Sequence, residues 1–403
     1  MIYDVLFHPL HPRYTGYPMK IAFIHNDKKL GTGAHFINDL IASRLHEIGI
    51  EVKNFYPKSP LVDPPVHLRG LGNILFFYSL LEHKNQILKF DLVQGTTYTP
   101  LAFLAFPIPV VSHFGSTSWG FLDAVPQAKD LDAASRKIWA ELRDAGVINQ
   151  LNIMTRRPLR DVAEIERFVA TRADAVIATS QIVRQDLLRA GVDEKNIHLV
   201  PNAIEDYWFD RKPLRIHASP SLVFLGRLGS DPFTLKLKGL DRLVDLYRRF
   251  KRVPKHTIGM TTNKALIEFM DARINTHTFY ANLKKEEIPT LLNALAGSIL
   301  LVTSRYEGFS LSLIEGMSQG LIPVTYAVGI APEVITHGKN GFLVQNQTEA
   351  TRAIQYIIGL STEKRRELAE AARMSAKPFN SRMISKRLLA VYNQVIKKPR
   401  NKK

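Results

Sequence analysis

The sequence predicts two doubly wound α/β domains in tandem, facing each other across a cleft. Three observations carry that prediction. Short apolar runs alternate with longer stretches of helical spacing, which is the pattern of parallel strands joined by helical crossovers. The alternation lapses once, into the proline-bearing polar stretch at 207–220, and then starts again. At 403 residues and 45% apolar, the chain can fill two separate cores.

The first buried strand is read over 19–25, followed by Gly31-Thr32-Gly33 and the apolar spacing Phe36, Ile37, Leu40, Ile41, Leu45. That is strand, glycine turn, helix. Further strands are expected over 52–56, 91–94, 110–113, 175–178 and 197–200, separated by segments long enough for helical crossovers. After the linker the expected strands are 222–225, 257–260, 277–280, 299–303 and 322–325, with helices beginning at Leu240, Glu286, Ser310 and Thr348. The predicted layout is an appendage at 1–18 (or a start assigned upstream of Met19), a first domain at 19–206, a linker at 207–220, a second domain at 221–375, and a last helix from 376 with a basic end. Ligands of open parallel sheets sit beyond the carboxyl ends of the strands, so the cleft between the domains is where a site belongs.

Composition narrows the classes. Apolar stretches near 71–81 and 101–111 fall short of the roughly 20 residues that span a bilayer, and Pro107 and Pro109 break the second. Asp4, His8 and Pro9 stand where a secretory leader needs a basic start and an unbroken apolar run. There is no cysteine, hence no disulfide framework, which fits a cytoplasmic location. The formal charge of +17 attracts polyanions or an anionic membrane face. No zinc-finger spacing, aromatic RNP pattern or basic-helix heptad argues for nucleic acid. An anionic leaflet on the inner side of a membrane, or a basic surface that only aids solubility, remain as readings. The stretch 119–172 mixes Trp119, Phe121, Ile138 and Trp139 with Arg136, Lys137, Arg143, Arg156, Arg157 and Arg160. It reads either as a surface for an acceptor presented at a membrane or as a helical layer packed on its sheet.

The residues with the most chemical content lie between Arg305 and Val344. Glu307 and Glu315 are separated by seven residues, with Gly308-Phe309-Ser310 between an expected strand end and a helix start. With Ser310 as the helix cap, the amides from Gly308 to Leu311 would point into the cleft at the positive end of the helix dipole, where an anionic, hydroxyl-rich ligand fits. Two carboxylates alone are as easily solvated helix-end groups. Arg227 and Lys238 supply what they lack, a planar fork and a point charge at strand and helix ends facing the same cleft, suited to a diphosphate.

Those motifs resemble the retaining glycosyltransferases of family 4, which have the GT-B fold. The likeness runs through Gly226-Arg227-Leu228 with Lys238-Gly239, Glu307-Gly308-Phe309-Ser310-Leu311 to Glu315, Pro332-Glu333-Val334-Ile335 and Asn340-Gly341-Phe342-Leu343-Val344. In the first half it runs through the Gly31–Gly33 turn, His113-Phe114-Gly115, the segment from Ala173 to Ser180, and Val200-Pro201-Asn202. The resemblance implies that Arg227 and Lys238 hold a donor diphosphate with the Gly33 amide nearby, and that Glu315 binds the ribose. It also implies that Glu307 and the amides of Gly308 and Phe309 hold the transferred sugar, and that His113 reaches that sugar from the first domain. Gly226, Ser310 and Leu311 belong to the same donor contacts. Ala203 and Ile330 depart from the usual family glycines, and Ile330 would add a branched side chain near the cleft.

The implied reaction is transfer, with retention, from a nucleotide diphosphate sugar such as a UDP- or GDP-sugar to a hydroxyl acceptor, for instance a lipid-linked or cell-envelope glycan. It calls for no metal and no cofactor. Asp130-Leu131-Asp132 spells an acidic pair that binds metal in other glycosyltransferases, but in a helical segment neighbours two apart point differently, so it reads as surface. The alternatives are another GT-B activity, a nucleotide-sugar epimerase or a phosphorylase, or a non-catalytic protein that binds anionic ligands or nucleic acid.

Overall fold

The computed structural model describes residues 19–25, 33–57, 78–151, 156–210 and 213–397. The segment 1–18, Gly31 and Thr32 of the first glycine turn, and the basic end from 398 onward lie outside the described residues.

The first sheet has six parallel strands: β1 Lys20–Ile24, β2 Glu51–Phe55, β3 Leu92–Thr96, β4 Val110–Phe114, β5 Ala175–Ala178 and β6 Ile197–Leu199. Their order is β2-β1-β3-β4-β5-β6. Helices cover both faces, so successive strand residues enter different cores: Ala22 and Ile24 join one cluster with Val93, Val110 and Val176, while Ile21 and Phe23 join another with Leu92, Val111 and Ala175.

The second sheet is also six-stranded and parallel: β7 Leu222–Arg227, β8 Lys255–Met260, β9 His277–Ala281, β10 Ile299–Val302, β11 Ile322–Tyr326 and β12 Phe342–Val344. The order β12-β11-β10-β7-β8-β9 reverses direction between β7 and β10. Such a switch point opens a crevice at the carboxyl ends of the two central strands. β7 ends on Arg227, and the chain leaving β10 runs directly into Thr303–Glu307.

Several contacts tie the domains together, among them two helical connections. The helix Ser381–Lys397 lies on the first domain, with Ile384, Leu388, Val391, Tyr392 and Val395 in the core that contains Ile21, Phe23 and Ile41. At its start Ser381 Oγ donates to Asp206 Oδ1 at 2.7 Å, and Arg44 reaches both Ser381 Oγ and Asp206 Oδ2 at 2.8 Å.

The second connection differs in part from the packed-layer reading of 119–172: Ala170 joins the first domain's core with Trp119 packed against it, but one helix of the stretch packs elsewhere. The helix Ala133–Asp144 belongs by sequence to the first half, yet Ile138, Trp139 and Leu142 are buried in the second domain's core beside Leu240, Val244 and Phe269. Lys236, fully buried, donates from Nζ to the carbonyls of Pro126 at 3.2 Å and Leu151 at 2.9 Å, and Arg248 pairs with Glu141 at 2.7 Å. Trp139 is wholly buried, so it is no part of an exposed aromatic surface. Asp130 and Asp132 also have local work: Asp130 accepts from the Gln127 amide at 3.1 Å, and Asp132 caps the helix by accepting from the Ser135 amide at 2.7 Å. They stand before this helix, not inside it.

Candidate functional site

The loop after β10 and the turn before the helix Leu240–Arg249 are stitched together at the switch point. The Arg305 amide donates to the Leu237 carbonyl at 2.8 Å, and Thr303 Oγ1 donates to the Lys238 carbonyl at 2.9 Å. Gly239 permits this approach, because a Cβ there would stand 2.1 Å from the Thr303 carbonyl oxygen, and its φ is +64°. The result brings two predicted residues into contact: Lys238 Nζ lies 2.6 Å from Glu307 Oε1, which also accepts from Ser304 Oγ at 2.7 Å. Both side chains are mostly but not wholly buried, at 20% and 16% exposure, so a ligand can still reach them.

Several groups that hold this loop were not singled out from the sequence. Arg305 forms a bidentate pair with buried Asp241, at 2.8 and 2.7 Å, and Arg242 donates to the Thr303 carbonyl at 3.3 Å. Arginine and aspartate 64 residues apart give no local signal of such a pairing.

Gly308 sits against the first domain. A Cβ on it would meet the Gly115 carbonyl oxygen at 1.9 Å, and its own carbonyl accepts from Ser180 Oγ at 2.6 Å. Among the described residues, the amides of Gly308, Phe309 and Ser310 have no backbone acceptor. They precede the helix Leu311–Ser318, whose dipole adds to the pull on an anion. Ser310 is not the side-chain cap that the sequence predicts. Its φ of 78° is left-handed, its buried hydroxyl has no partner, and the first turn is closed by its carbonyl, which accepts from the Leu313 amide at 3.2 Å. The side chains of Phe309 and Leu311 pack into the protein, Phe309 edge-on to Phe379 with centroids 5.7 Å apart, leaving their backbone for a ligand.

Glu315 lies further along that helix and is buried. Burial pushes its carboxyl up to about 7, the Lys285 ammonium pulls it down, and Glu205 pushes it up again. Lys285 Nζ stands 3.8 Å from Glu315 and bonds Glu205 directly. Arg227 is exposed at the end of β7, beside the same crevice. Gly226 before it makes no close backbone approach, the nearest atom to an added Cβ being in the Phe224 ring at 3.5 Å. Gly33 opens the helix Gly33–Glu47.

His113, on β4, lines a small pocket with Asn38, Gln94, Asn202 and Leu388. The structure does not bring it into contact with the Lys238–Glu307 pair. Burial holds its imidazole down to about 4, so it is neutral near pH 7 and not a cation. Ile330 is turned away from the cleft: it is 2% exposed in the second core, and its amide donates to the Phe309 carbonyl at 2.8 Å.

A lysine–carboxylate pair at the switch point of one of two doubly wound domains, beside amides that have no backbone acceptor among the described residues, is the arrangement of enzymes with two Rossmann-like halves. Residues 206–375 match the family model described as glycosyl transferases group 1, and residues 41–206 match glycosyltransferase family 4. The chain belongs to the family 4 glycosyltransferases, and its fold is GT-B.

Among relatives, it is 26% identical over 263 residues to an α-maltose-1-phosphate synthase of Mycolicibacterium smegmatis, covering 57% of this chain and 66% of that enzyme. It is 23% identical to an MMP α-(1→4)-mannosyltransferase of Mycolicibacterium hassiacum, covering 78% of this chain and 70% of the relative. Among solved structures, sucrose-phosphate synthase from Thermosynechococcus elongatus superposes with a TM-score of 0.72 at 17% identity, over 94% of this chain and 99% of that one. Anabaena HepE, solved with UDP and glucose, gives 0.65 at 18% identity, over 93% and 100%. At these identities the structural likeness shows the fold.

Proposed function

We propose that the protein transfers a sugar, with retention, from a nucleotide diphosphate sugar to a hydroxyl of a glycan or lipid-linked acceptor, without a metal or cofactor. The observation that carries this reading is the Lys238–Glu307 pair beside the unengaged amides of Gly308, Phe309 and Ser310. Lys238, exposed Arg227 and the amides face the diphosphate, and Glu315 receives the ribose hydroxyls. Glu307 orients the sugar, and neutral His113 meets it from the first domain. HepE, a structural neighbour, is named in complex with UDP-glucose, which supports a nucleotide-sugar donor without naming the one used here.

No protein nucleophile is called for. The bond from the anomeric carbon to the phosphate oxygen breaks, the acceptor oxygen bonds to that carbon on the same face, and the acceptor's proton passes to the departing phosphate. The protein stabilises the growing negative charge, a task for preorganised donors.

A thermal-shift panel of UDP-, GDP- and ADP-sugars tests the donor. A ligand at 100 times its dissociation constant stabilises by about 2.7 kcal/mol, and no shift with any of them would remove the reading. Proton NMR of the product then tests retention: the new linkage carries the anomeric configuration of the donor, in buffer with and without EDTA.

A further inference from the structure

We propose that Tyr306 is a positioning residue whose phenol, reaching across the domain boundary, holds Glu307 in register with the first domain. This rests on the donor-site reading above. Tyr306 immediately precedes Glu307, yet its side chain leaves the second domain. The hydroxyl donates to Asp186 Oδ2 at 2.6 Å, on the first-domain helix Gln181–Arg189. It also lies 3.0 Å from Thr117 Oγ1 and accepts from the Thr117 amide at 3.3 Å.

The receiving site is shaped for the ring. Gly120 leaves room for it, since a Cβ there would stand 2.4 Å from the ring carbons. Phe121 meets it edge-on with centroids 5.3 Å apart. Asp186 is 1% exposed and takes a further bond from Thr117 Oγ1 at 2.8 Å and one from Arg189. A buried carboxylate with this many donors is a fixed point.

On the other side of Glu307, Gly308 is held by the same domain through Ser180 Oγ at 2.6 Å and through its contact with Gly115. Glu307 is therefore the middle of a tripeptide clamped at both ends by the first domain, while its carboxylate turns back to Lys238 and Ser304 of the second. The clamp sets how far that carboxylate stands from β4, which carries His113 and leads to Gly115. Sugar contacts drawn from two domains act on one sugar only if this distance is fixed, and displacements near 1 Å cost about a hundredfold in rate.

The test compares Tyr306→Phe, Asp186→Asn and the double variant with the wild type. Removing the phenol oxygen keeps the ring in place and frees one end of the clamp. The expected result is a fall in kcat of roughly ten- to a hundredfold for Tyr306→Phe. The dissociation constant of the nucleoside diphosphate alone, UDP or GDP as the panel selects, stays within about twofold, because the side chains proposed to hold it, Arg227, Lys238 and Glu315, lie in the second domain. The double variant is expected to be no slower than Asp186→Asn, since both changes remove one bond. Thr117→Val replaces Asp186→Asn in the cycle if the latter does not fold. A Tyr306→Phe enzyme that unfolds at lower temperature but keeps wild-type kcat overturns the positioning role and leaves the donor site standing, as do losses that multiply in the double variant. A wild type that binds neither UDP nor GDP overturns the donor site and this proposal together.

Discussion

Lys238 Nζ and Glu307 Oε1, 2.6 Å apart, join residues from two different loops at the switch point of the second sheet. In the proposed reaction this pair would hold a cation where a leaving diphosphate gathers charge, with the carboxylate 2.6 Å away orienting it. Lys238→Ala should lower kcat by on the order of a hundredfold to a thousandfold, with the fold retained because the side chain is partly exposed. Turnover at saturating donor checks this; a wild-type rate would remove Lys238 from the leaving-group role.

If Glu315 receives the ribose as proposed, donor binding depends on pH. Its carboxyl is raised to about 7 by burial, so it is largely protonated at pH 6 and largely ionised at pH 8. A carboxylate accepts two ribose hydroxyls better than the neutral acid. The donor dissociation constant should therefore fall between pH 6 and pH 8 in the wild type and stay flat in Glu315→Gln. Calorimetric titration at both values reads it, and identical profiles in the two proteins would contradict the assignment.

Gly308→Ala should separate the two domains locally. The added methyl would meet the Gly115 carbonyl oxygen at 1.9 Å and Ser116 Cα at 2.6 Å, both backbone atoms that cannot turn aside. Transfer should fall by at least tenfold, on the order expected for a misplacement of about an ångström, while nucleoside diphosphate binding persists. A fully active alanine variant would show that the contact is dispensable.

Trp139→Ala tests whether the excursion from the first half is part of the second domain's core. The indole is wholly buried among second-domain side chains, and its removal should cost about 3–5 kcal/mol in urea denaturation. A loss under about 1 kcal/mol would mean the helix Ala133–Asp144 is only loosely attached.

Glu166 gives a pH dependence of stability. Buried, with its carboxyl oxygens facing the Ser118 amide at 2.7 Å and Ser118 Oγ at 2.9 Å, it is raised from 4.5 to about 8 by burial, against the pull of those bonds. The folded state favours the proton, so the stabilisation is fully present below about 4.5 and is lost as pH rises through about 8. Glu166→Gln should shrink the drop in unfolding free energy between pH 6 and pH 9, a term on the order of a few kcal/mol. Equal drops in both proteins would rule it out.

The strands were legible because buried parallel strands are short apolar runs, and eleven of the twelve were read within a few residues. The exception, β12, has three residues and no period to detect. Spacing and chemistry single out Lys238 and Glu307, although no spacing says that they touch. For Trp139 the sequence leaves open a surface or a layer packed on the first sheet, because periodicity reveals a buried face without naming the domain that buries it. Ser310 was misread because serine before an apolar run is the usual cap signal, and only the backbone shows a positive φ. The partners of Tyr306 and Arg305 lie 64 or more residues away, beyond any local pattern.

A crystal structure with the nucleoside diphosphate chosen by the panel shows whether one nucleotide diphosphate sugar occupies the crevice between β7 and β10. The predicted result places phosphate oxygens within hydrogen-bond reach of Lys238 Nζ and the amides of Gly308–Ser310, with the ribose hydroxyls on Glu315. A diphosphate bound elsewhere, or a ribose that leaves Glu315 facing only Lys285, would contradict it.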